Sequence, residues 1–456
     1  MKYYISLLDY GLLPFYLAIV FAFAFGIRNK YYPPGHPWRQ YFIPAITFKV
    51  LGSLAISLLY QYYYGGGDTA EYFKQARTIN SSFFESPTKW MNLMLHVPKW
   101  YDGEYYMYIA SKLNPERLYW YDSPPEFMII RILAIISFLS FNTYLPASVL
   151  LGALSFSGVW ALFRILASFY PHLTRNIAIA ILFIPSLALW CSGIFKDTIC
   201  LAGIGWLTFA ALRMLVYRDF SVGNIALGIV SFYLISVIKI YILMAFIPAL
   251  VLWVLFIYLR NIESGFLRFI VMVPVMVGAL FGFRYASNKL SESLGKYSVE
   301  NIATTAQVTR EWINETSNEE SINYDIGAMD PSYMGMVKKL PRAINVTLFR
   351  PYIWETKKAI QLVTALEAAA FLLLTLKVLL SVGIGGVWRA INSDPTLQFC
   401  LIFTLIFAFA VGISSSNFGT LSRYRTPCLP FYALSLILIY YRYNSPEEKD
   451  LFSFRR

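Results

Sequence analysis

The sequence predicts an all-α fold, a polytopic bundle of about eleven transmembrane helices with large external loops that carry interfacial helices. Three observations lead to this prediction. Of the 456 residues, 57% are hydrophobic and 14% are charged, against about 25% charged in an average soluble domain. Apolar stretches of about 20 residues recur along the chain. Two long hydrophilic segments, 63–127 and 285–357, interrupt them. These properties exclude a soluble enzyme, a disordered chain and a disulfide scaffold.

The predicted spans follow one another along the chain. They lie near 8–27, 42–62, 143–163, 175–194, 198–217, 222–238, 240–259, 266–284, 358–382, 396–415 and 427–441. The apolar segment 127–141 is short and contains Arg131, so we expect a non-spanning helix that lies in the interface or re-enters it. We expect residues 1–456 to form a single integral membrane domain, with 63–127 and 285–357 as its first and second external loops.

The basic residues of the short connections predict the orientation. Arg28, Lys30 and Arg39 lie in a connection without acidic residues, and the connection 164–175 has the same property. Because cytoplasmic loops carry an excess of Lys and Arg, these connections are expected in the cytoplasm. The N-terminus is then outside and the C-terminus is cytoplasmic. The net charge of +12 has the same explanation, and no nucleic-acid partner is predicted.

A glycine run precedes the first candidate catalytic residue. Gly65, Gly66 and Gly67 follow the second span, and Asp68 comes next. Glycines allow close approach of the backbone to a ligand, and a carboxylate just above the membrane can act as a general base or hold a cation. The alternative is that Asp68 only caps a helix beginning at Thr69. The same loop contains Tyr72, which we include among the residues expected to contact substrate.

Further candidate residues lie at the predicted external ends of later spans. Lys196 and Asp197 stand between two apolar spans, where charges are costly unless they are paired or face a wet cavity. They are either part of a site or an interfacial ion pair that ends two helices. Lys239 lies in the predicted hairpin between the sixth and seventh spans. Its ammonium either binds the phosphate of a lipid carrier or extends to the interface without a specific ligand.

Two arginines flank a tyrosine before the last predicted span. Arg423 and Arg425 would lie outside, against the usual charge bias, so a fixed anion such as a phosphate is the favoured explanation and nonspecific headgroup contact is the alternative. Asp102 and Glu104 are carboxylates among aromatic residues, a combination that suits sugar recognition. Arg350 and Glu355, at the entrance of a later span, are weaker candidates.

Several classes of chemistry are not indicated. The sequence contains no P-loop, GxSxG, HExxH or dinucleotide-binding motif in a suitable context, so reactions driven by ATP or NAD are not expected. The three histidines are far apart, which argues against a histidine zinc site. The four cysteines lie in or beside apolar runs and form no CxxC pair.

The order of these features resembles the GT-C superfamily of membrane glycosyltransferases, which use polyprenyl-phosphate-linked sugars. In that superfamily an acidic residue stands in the first large external loop, as Asp68 does. A proline-containing helix then leads to a second external acidic position, as between Pro185 and Asp197. A later lysine begins an apolar helix, as Lys239 does. The resemblance covers roughly residues 42–260. The segment 417–430 also resembles the outer R-Y-R…P segment of polysaccharide polymerases of the Wzy type.

The resemblance implies a reaction at the outer face of the membrane, and the short connections without a eukaryotic sorting signal predict a bacterial inner membrane. Asp68 would take the proton from an acceptor hydroxyl, and Lys196, Lys239, Arg423 and Arg425 would neutralise the phosphate of the carrier. The acceptor is a glycan, a lipid or a protein. No cofactor is assigned. A divalent cation is one alternative, and the loop has one aspartate where protein mannosyltransferases have an adjacent acidic pair. The alternatives are a Wzy-type polymerase, a transporter or flippase of lipid-linked glycans, and a non-catalytic subunit of envelope assembly.

Overall fold

Helices account for about 81% of the computed structural model. It describes residues 4–259 apart from 113, 115 and 116, then residues 333–444, with a few isolated positions between 307 and 327. In this part of the chain the only β pairing is one isolated bridge between Asn323 and Asn417, so the all-α prediction is confirmed there.

The helices differ widely in length. In chain order they are α1 (Leu7–Tyr31), α2 (Arg39–Tyr62), α3 (Asp68–Glu85), α4 (Pro87–Met94), α5 (Gly103–Tyr105), α6 (Pro124–Leu139), α7 (Tyr144–Phe169), α8 (Thr174–Leu182), α9 (Pro185–Trp190), α10 (Lys196–Leu215), α11 (Val222–Leu259), α12 (Tyr333–Phe349), α13 (Ala359–Ser393), α14 (Pro395–Ser414), α15 (Phe418–Tyr424) and α16 (Leu429–Tyr441).

The chain forms two compact units. Unit 1 comprises Met1–Thr174 and Leu182–Ile240, and unit 2 comprises Arg175–Ile181 and Tyr241–Arg456. The division falls inside α8 and inside α11. The sequence analysis expected one integral membrane domain over the whole chain, and that expectation stays a prediction.

Seven of the described helices are long and apolar enough to cross a membrane: α1, α2, α7, α10, α11, α13 and α14. They match eight of the predicted spans, because α11 covers both 222–238 and 240–259. The predicted span 266–284 and most of the second external loop lie outside the described residues. Integral membrane character is thus supported, whereas the count of about eleven spans is not confirmed.

The predicted span 175–194 is not one continuous helix. α8 ends at Leu182, and α9 begins at Pro185 and has only 6 residues. Proline lacks the N–H that would continue the helix, so a break directly before Pro185 is expected. The predicted span 427–441 is also shorter than expected, because a 3₁₀ turn occupies Thr426–Cys428 and α16 has 13 residues. At 1.5 Å per residue α16 extends about 20 Å, less than the thickness of the hydrocarbon core.

A close contact between α7 and α10 forms the centre of unit 1. A Cβ atom added to Gly158 would lie 2.2 Å from the carbonyl oxygen of Ala202, so the two backbones touch. Gly152 lies next to Ser192, and Ser157 accepts a hydrogen bond from Trp206 at 3.1 Å. From Gly152 to Arg164 of α7, the neighbouring residue advances from Ser192, which precedes α10, to Phe209 near the end of α10. α7 and α10 therefore run parallel.

The ends of α1 and α2 complete the bundle of unit 1. The rings of Tyr4 and Tyr144 pack at 5.1 Å, where α1 and α7 both begin, and the Tyr4 hydroxyl donates to the carbonyl of Tyr60 near the end of α2. At the other end, Trp160 of α7 donates a 2.7 Å hydrogen bond to Tyr32, which follows α1. α1 thus runs parallel to α7 and α2 runs antiparallel to both. These relative directions match the predicted alternation of spans.

The segment 63–127, which the sequence predicts to be external, folds into short helices across one end of unit 1. Near the start of α3, Gly67 contacts Tyr60 of α2; farther along, Phe73 packs on Tyr144 at 5.2 Å. Asn80 donates to Asn142, just before α7, at 2.6 Å. α3 therefore lies across the ends of α2 and α7. α6 has 16 residues, or about 24 Å, which agrees with the expected non-spanning helix over 127–141.

The core of unit 2 consists of aromatic side chains and one close helix contact. Trp253 stacks on Phe399 at 4.4 Å, and Phe246 packs on Phe403 at 5.4 Å. A Cβ atom on Gly412 of α14 would lie 2.3 Å from the carbonyl oxygen of Ala343 in α12. Without a side chain at position 412, α12 and α14 pack at backbone distance.

Candidate functional site

Asp68 is the first residue of α3, directly after three glycines with positive φ. Gly65, Gly66 and Gly67 have φ values of 68°, 141° and 118°. Only glycine adopts such values readily, so the run makes the abrupt turn from α2 into α3. Gly67 is the N-cap residue, which leaves the side chain of Asp68 in the first turn rather than in the capping position expected for a helix beginning at Thr69. The carboxylate is exposed and is stabilised by the helix dipole.

A tyrosine and two carboxylates surround this helix start. The Tyr119 hydroxyl donates a 2.7 Å hydrogen bond to Glu71. Burial raises the pKa of Tyr119, and the negative charges of Glu71 and Asp68 raise it further. The hydroxyl of Tyr119 is therefore held protonated as a donor beside the carboxylates. Glu71 is not among the candidate residues predicted from the sequence.

Tyr72 has a different environment from its neighbours in sequence. Its side chain is 1% exposed and packs on Trp120 with the ring centroids 4.9 Å apart. Trp120 in turn is held by a hydrogen bond from its backbone N–H to Gln75. Tyr72 thus anchors α3 to the following loop, and its burial does not favour the predicted contact with substrate.

Lys196 and Asp197 each have a charged partner from another element. Lys196 binds Glu126 of α6 at 2.5 Å, with about a fifth of each side chain exposed. Asp197 forms an ion pair with Lys239, and both side chains are buried. The sequence analysis did not single out Glu126. Each charge of the Lys-Asp dipeptide is therefore compensated separately, which lowers the cost of placing them beside apolar helices.

Lys239 interrupts α11. Its φ and ψ are −149° and 73°, which are not helical, and the helical segments 222–238 and 240–259 lie on either side. This is where the sequence predicts a hairpin between two spans. The ion pair with Asp197 ties this break to the first turn of α10.

Tyr60 connects the starts of α3 and α10. Its ring lies against Gly67, directly before Asp68. The same ring packs at 5.2 Å on Phe195, directly before Lys196. Asp68, Glu126, Lys196 and Asp197 consequently belong to one end of unit 1, which we call the carboxylate end.

Lys49 is a buried charge that the sequence analysis missed. Its ammonium donates to the carbonyl oxygens of Cys191 and Leu187 at the end of α9. Ser155 also donates to Cys191, and Thr198 donates to Gly193 at 2.6 Å. These donors satisfy the carbonyl groups of a buried non-helical segment, which is otherwise costly in an apolar surrounding. The sequence does contain a sign of this role, because Lys49 lies inside the predicted span 42–62, where a charged side chain needs a partner.

Asp102 and Glu104 accept hydrogen bonds within their own loop. Asp102 accepts from the backbone N–H of Lys99 at 2.7 Å, and Glu104 accepts from the side chain of Asn92 at 3.3 Å. Both carboxylates are partly exposed. The sugar contact predicted for them stays a prediction.

Arg425 belongs to unit 2 and is fully buried. Its guanidinium donates to the carbonyl oxygens of Thr347 and Arg350 at 3.2 and 2.9 Å. It also donates to the carbonyl of Thr364 and to the carboxylate of Glu367. Arg425 therefore joins α12 to α13. This set of protein partners does not favour the predicted contact with a phosphate, whereas Arg423 is half-exposed.

Arg350 and Glu355 form a second ion pair in unit 2. Both oxygens of Glu355 accept from the guanidinium, and one also accepts from the backbone N–H of Tyr352 at 2.8 Å. The Arg350 guanidinium lies 5.1 Å from the ring centre of Phe418. Burial by itself raises the pKa of Glu355, but these hydrogen bonds outweigh it and hold the pKa below its usual value.

No metal centre was found within the described ranges: no three His, Cys, Asp or Glu side chains form a group that could hold an ion. No family model matches the chain, and comparison with curated proteins and with solved structures found no match.

Proposed function

We propose that this protein is a membrane glycosyltransferase that moves a sugar from a polyprenyl-phosphate carrier to an acceptor at the carboxylate end of unit 1. One observation carries the proposal: an exposed carboxylate, Asp68, is presented at a helix start by three glycines with positive φ, beside the Glu71–Tyr119 hydrogen bond. A general base needs this accessibility, and the neighbouring donor and acceptor groups suit sugar hydroxyls.

The proposed reaction is a single displacement. Asp68 takes the proton of an acceptor hydroxyl on a glycan, a lipid or a protein. The acceptor oxygen then attacks the anomeric carbon with inversion, and the carrier phosphate leaves with the bonding electrons. Cations near the leaving group stabilise its growing negative charge. Within unit 1, the partly exposed Lys196 suits this role better than the buried Lys239. We assign Asp197 as a positioning residue, since it is buried against Lys239.

The first prediction is that Asp68→Asn lowers turnover by about 10²- to 10⁴-fold, the usual contribution of a general base. The purified protein, reconstituted in liposomes with membrane lipid extract as the source of acceptor, is given polyprenyl-phosphate-linked hexoses, and release of polyprenyl phosphate is measured. Asp219→Asn is the control, because Asp219 pairs with Arg213 at the opposite end of unit 1. Undiminished release by a correctly folded Asp68→Asn protein would contradict the proposal.

A transporter of lipid-linked glycans is the second candidate. It is favoured by the break before Pro185 and by the break at Lys239 with its buried ion pair, because transporters carry interrupted helices and paired charges at their binding sites. In that case liposomes would move a fluorescent polyprenyl-phosphate sugar between leaflets without releasing polyprenyl phosphate, and Asp68→Asn would leave the movement intact. The polymerase alternative requires Arg423 and Arg425 to bind phosphate together. Because Arg425 is buried, this alternative is less favoured than the transferase or the transporter.

A further inference from the structure

The first half of α12 carries a row of cations beside a groove. Gly335, Lys338, Lys339 and Arg342 line this groove, whose volume is about 330 Å³. Their spacing of three, four and seven residues places them on one face of the helix. Lys338 and Arg342 are exposed and four residues apart, so their like charges repel one another and favour binding of an anion. We call this surface the basic groove.

Two glycines leave the groove open. Gly335 is on the floor and is buried. Gly327, with φ of 85°, passes so close that a Cβ atom there would lie 2.6 Å from the ammonium of Lys339 and 3.5 Å from the guanidinium of Arg342. A side chain at position 327 would therefore shift the ammonium of Lys339, whereas Arg342 would stay in ordinary contact.

An exposed apolar strip runs along α12 beside the basic groove. Met334, Val337 and Leu340 are 64%, 60% and 40% exposed. Ala343 and Val346 follow Lys339 and Arg342 by four residues and are buried, with Ala343 against α14. The exposed Lys338 and Arg342 thus form a basic strip between the packed face of α12 and the apolar strip, which has no cover from the described residues.

We propose that the basic groove binds the phosphate headgroup of an anionic membrane lipid, whose acyl chains lie along the apolar strip. A soluble phosphate would use the cations alone and would leave the apolar strip unexplained. An amphiphile matches both strips, since a basic face next to an exposed apolar face is the arrangement that binds anionic lipid interfaces. The inference goes beyond the proposed transfer reaction, because none of the residues assigned to that reaction belongs to α12.

The test compares lipid binding by charge variants of the full-length protein. The purified, delipidated protein is titrated with phosphatidylglycerol and with phosphatidylcholine, and bound lipid is counted by native mass spectrometry. The triple variant Lys338→Gln/Lys339→Gln/Arg342→Gln is expected to bind phosphatidylglycerol about 100-fold more weakly, since each cation near an anionic surface contributes about a factor of five. The control Arg28→Gln/Lys30→Gln/Lys74→Gln removes the same charge elsewhere and is expected to stay within about twofold of wild type.

Two further measurements are made. One distinguishes a lipid phosphate from a soluble phosphate, and the other uses a milder variant if the triple variant does not fold. Met334→Gln/Val337→Gln should weaken phosphatidylglycerol binding but not the binding of glycerol 3-phosphate. If glycerol 3-phosphate binds as tightly as the lipid and this variant has no effect, the groove is a site for a soluble phosphate and the lipid assignment is wrong. If the triple variant fails to fold, the exposed Lys338→Gln alone is used, with an expected loss of about fivefold. Unchanged phosphatidylglycerol binding by a folded variant would overturn the proposal.

Discussion

At the level of residues, the main result is that two predicted site residues are partners of each other. Asp197 and Lys239 were candidates for catalysis and for phosphate binding, but the structure buries them as an ion pair. A buried charge without its partner is strongly destabilising, whereas removal of both charges costs much less. The pair therefore stabilises the start of α10 and the break in α11.

The second prediction concerns this pair. Asp197→Asn and Lys239→Met should each lower the free energy of unfolding by about 3–5 kcal/mol, and the double variant should lose less than either single change. Unfolding of the purified protein in detergent would measure the three losses. The control is Lys89→Met, which removes an exposed pair with Glu85 and should cost less than about 1 kcal/mol. Additive losses in the double variant would show that the two charges are not coupled.

The third prediction concerns the pH dependence of Glu355. Its folded pKa is below its usual value, so the interaction stabilises the fold above the unfolded pKa, about 4.3, and is lost as the pH falls through the folded pKa. Glu355→Gln should cost roughly 1.5 kcal/mol at pH 6, because a hydrogen bond to a charged group is removed. The difference in melting temperature from wild type should shrink below about pH 4. A difference that does not change between pH 6 and pH 3 would contradict this explanation.

At the level of elements, close backbone contacts and broken helices determine how unit 1 packs. Pro185 explains why 175–194 is divided into α8 and α9. The segment that follows is buried and not helical, and Lys49 and Thr198 donate hydrogen bonds to its carbonyl groups. The non-helical residue Lys239 lies where the sequence predicts a boundary between two spans, and that boundary stays a prediction. Sequence hydropathy predicts where apolar segments lie, but it does not distinguish one continuous helix from two short ones, because both have the same composition.

The fourth prediction tests the contact between α7 and α10. Gly158→Ala should destabilise unit 1 by about 1–3 kcal/mol, because the new methyl group would overlap the carbonyl of Ala202 and force the helices apart. Gly11→Ala in α1 is the matched control, since nothing lies within 4 Å of its added Cβ atom. Better helix propensity should make that variant equal to or slightly more stable than wild type. Equal melting temperatures for Gly158→Ala and wild type would refute the close contact.

At the level of the whole molecule, basic residues of the short connections in unit 1 lie at the end opposite to the carboxylate end. Arg39 donates to the carbonyl of Tyr32 after α1, and Arg164 lies over Phe209 near the end of α10. Arg213 and Asp219 follow at the same end, opposite to the carboxylate end. Because Lys and Arg favour the cytoplasmic side, we expect the carboxylate end outside, as the proposed reaction requires.

The fifth prediction is the orientation of unit 1. All four native cysteines are buried, so an introduced cysteine can be labelled against a low background. A membrane-impermeant maleimide applied to intact cells should label Trp100→Cys, in the loop next to the carboxylate end, but not Asn29→Cys at the opposite end. Both variants should react after lysis. Labelling of Asn29→Cys alone would place Asp68 in the cytoplasm and contradict transfer at the outer face.

The helical class, the positions of most apolar segments and the turn before Asp68 were predictable from the sequence, because hydrophobic length and the positive φ of glycine are local properties. The partners of Lys239 and Arg425 and the burial of Tyr72 were not, because Asp197, Glu367 and Trp120 are distant from them in the chain. Only the tertiary structure decides which charge is compensated and which stays accessible, since burial and pairing depend on neighbours that the local pattern does not specify. For that reason the structure leaves Asp68 exposed, buries Asp197 and Arg425, and brings the cations of α12 to one groove.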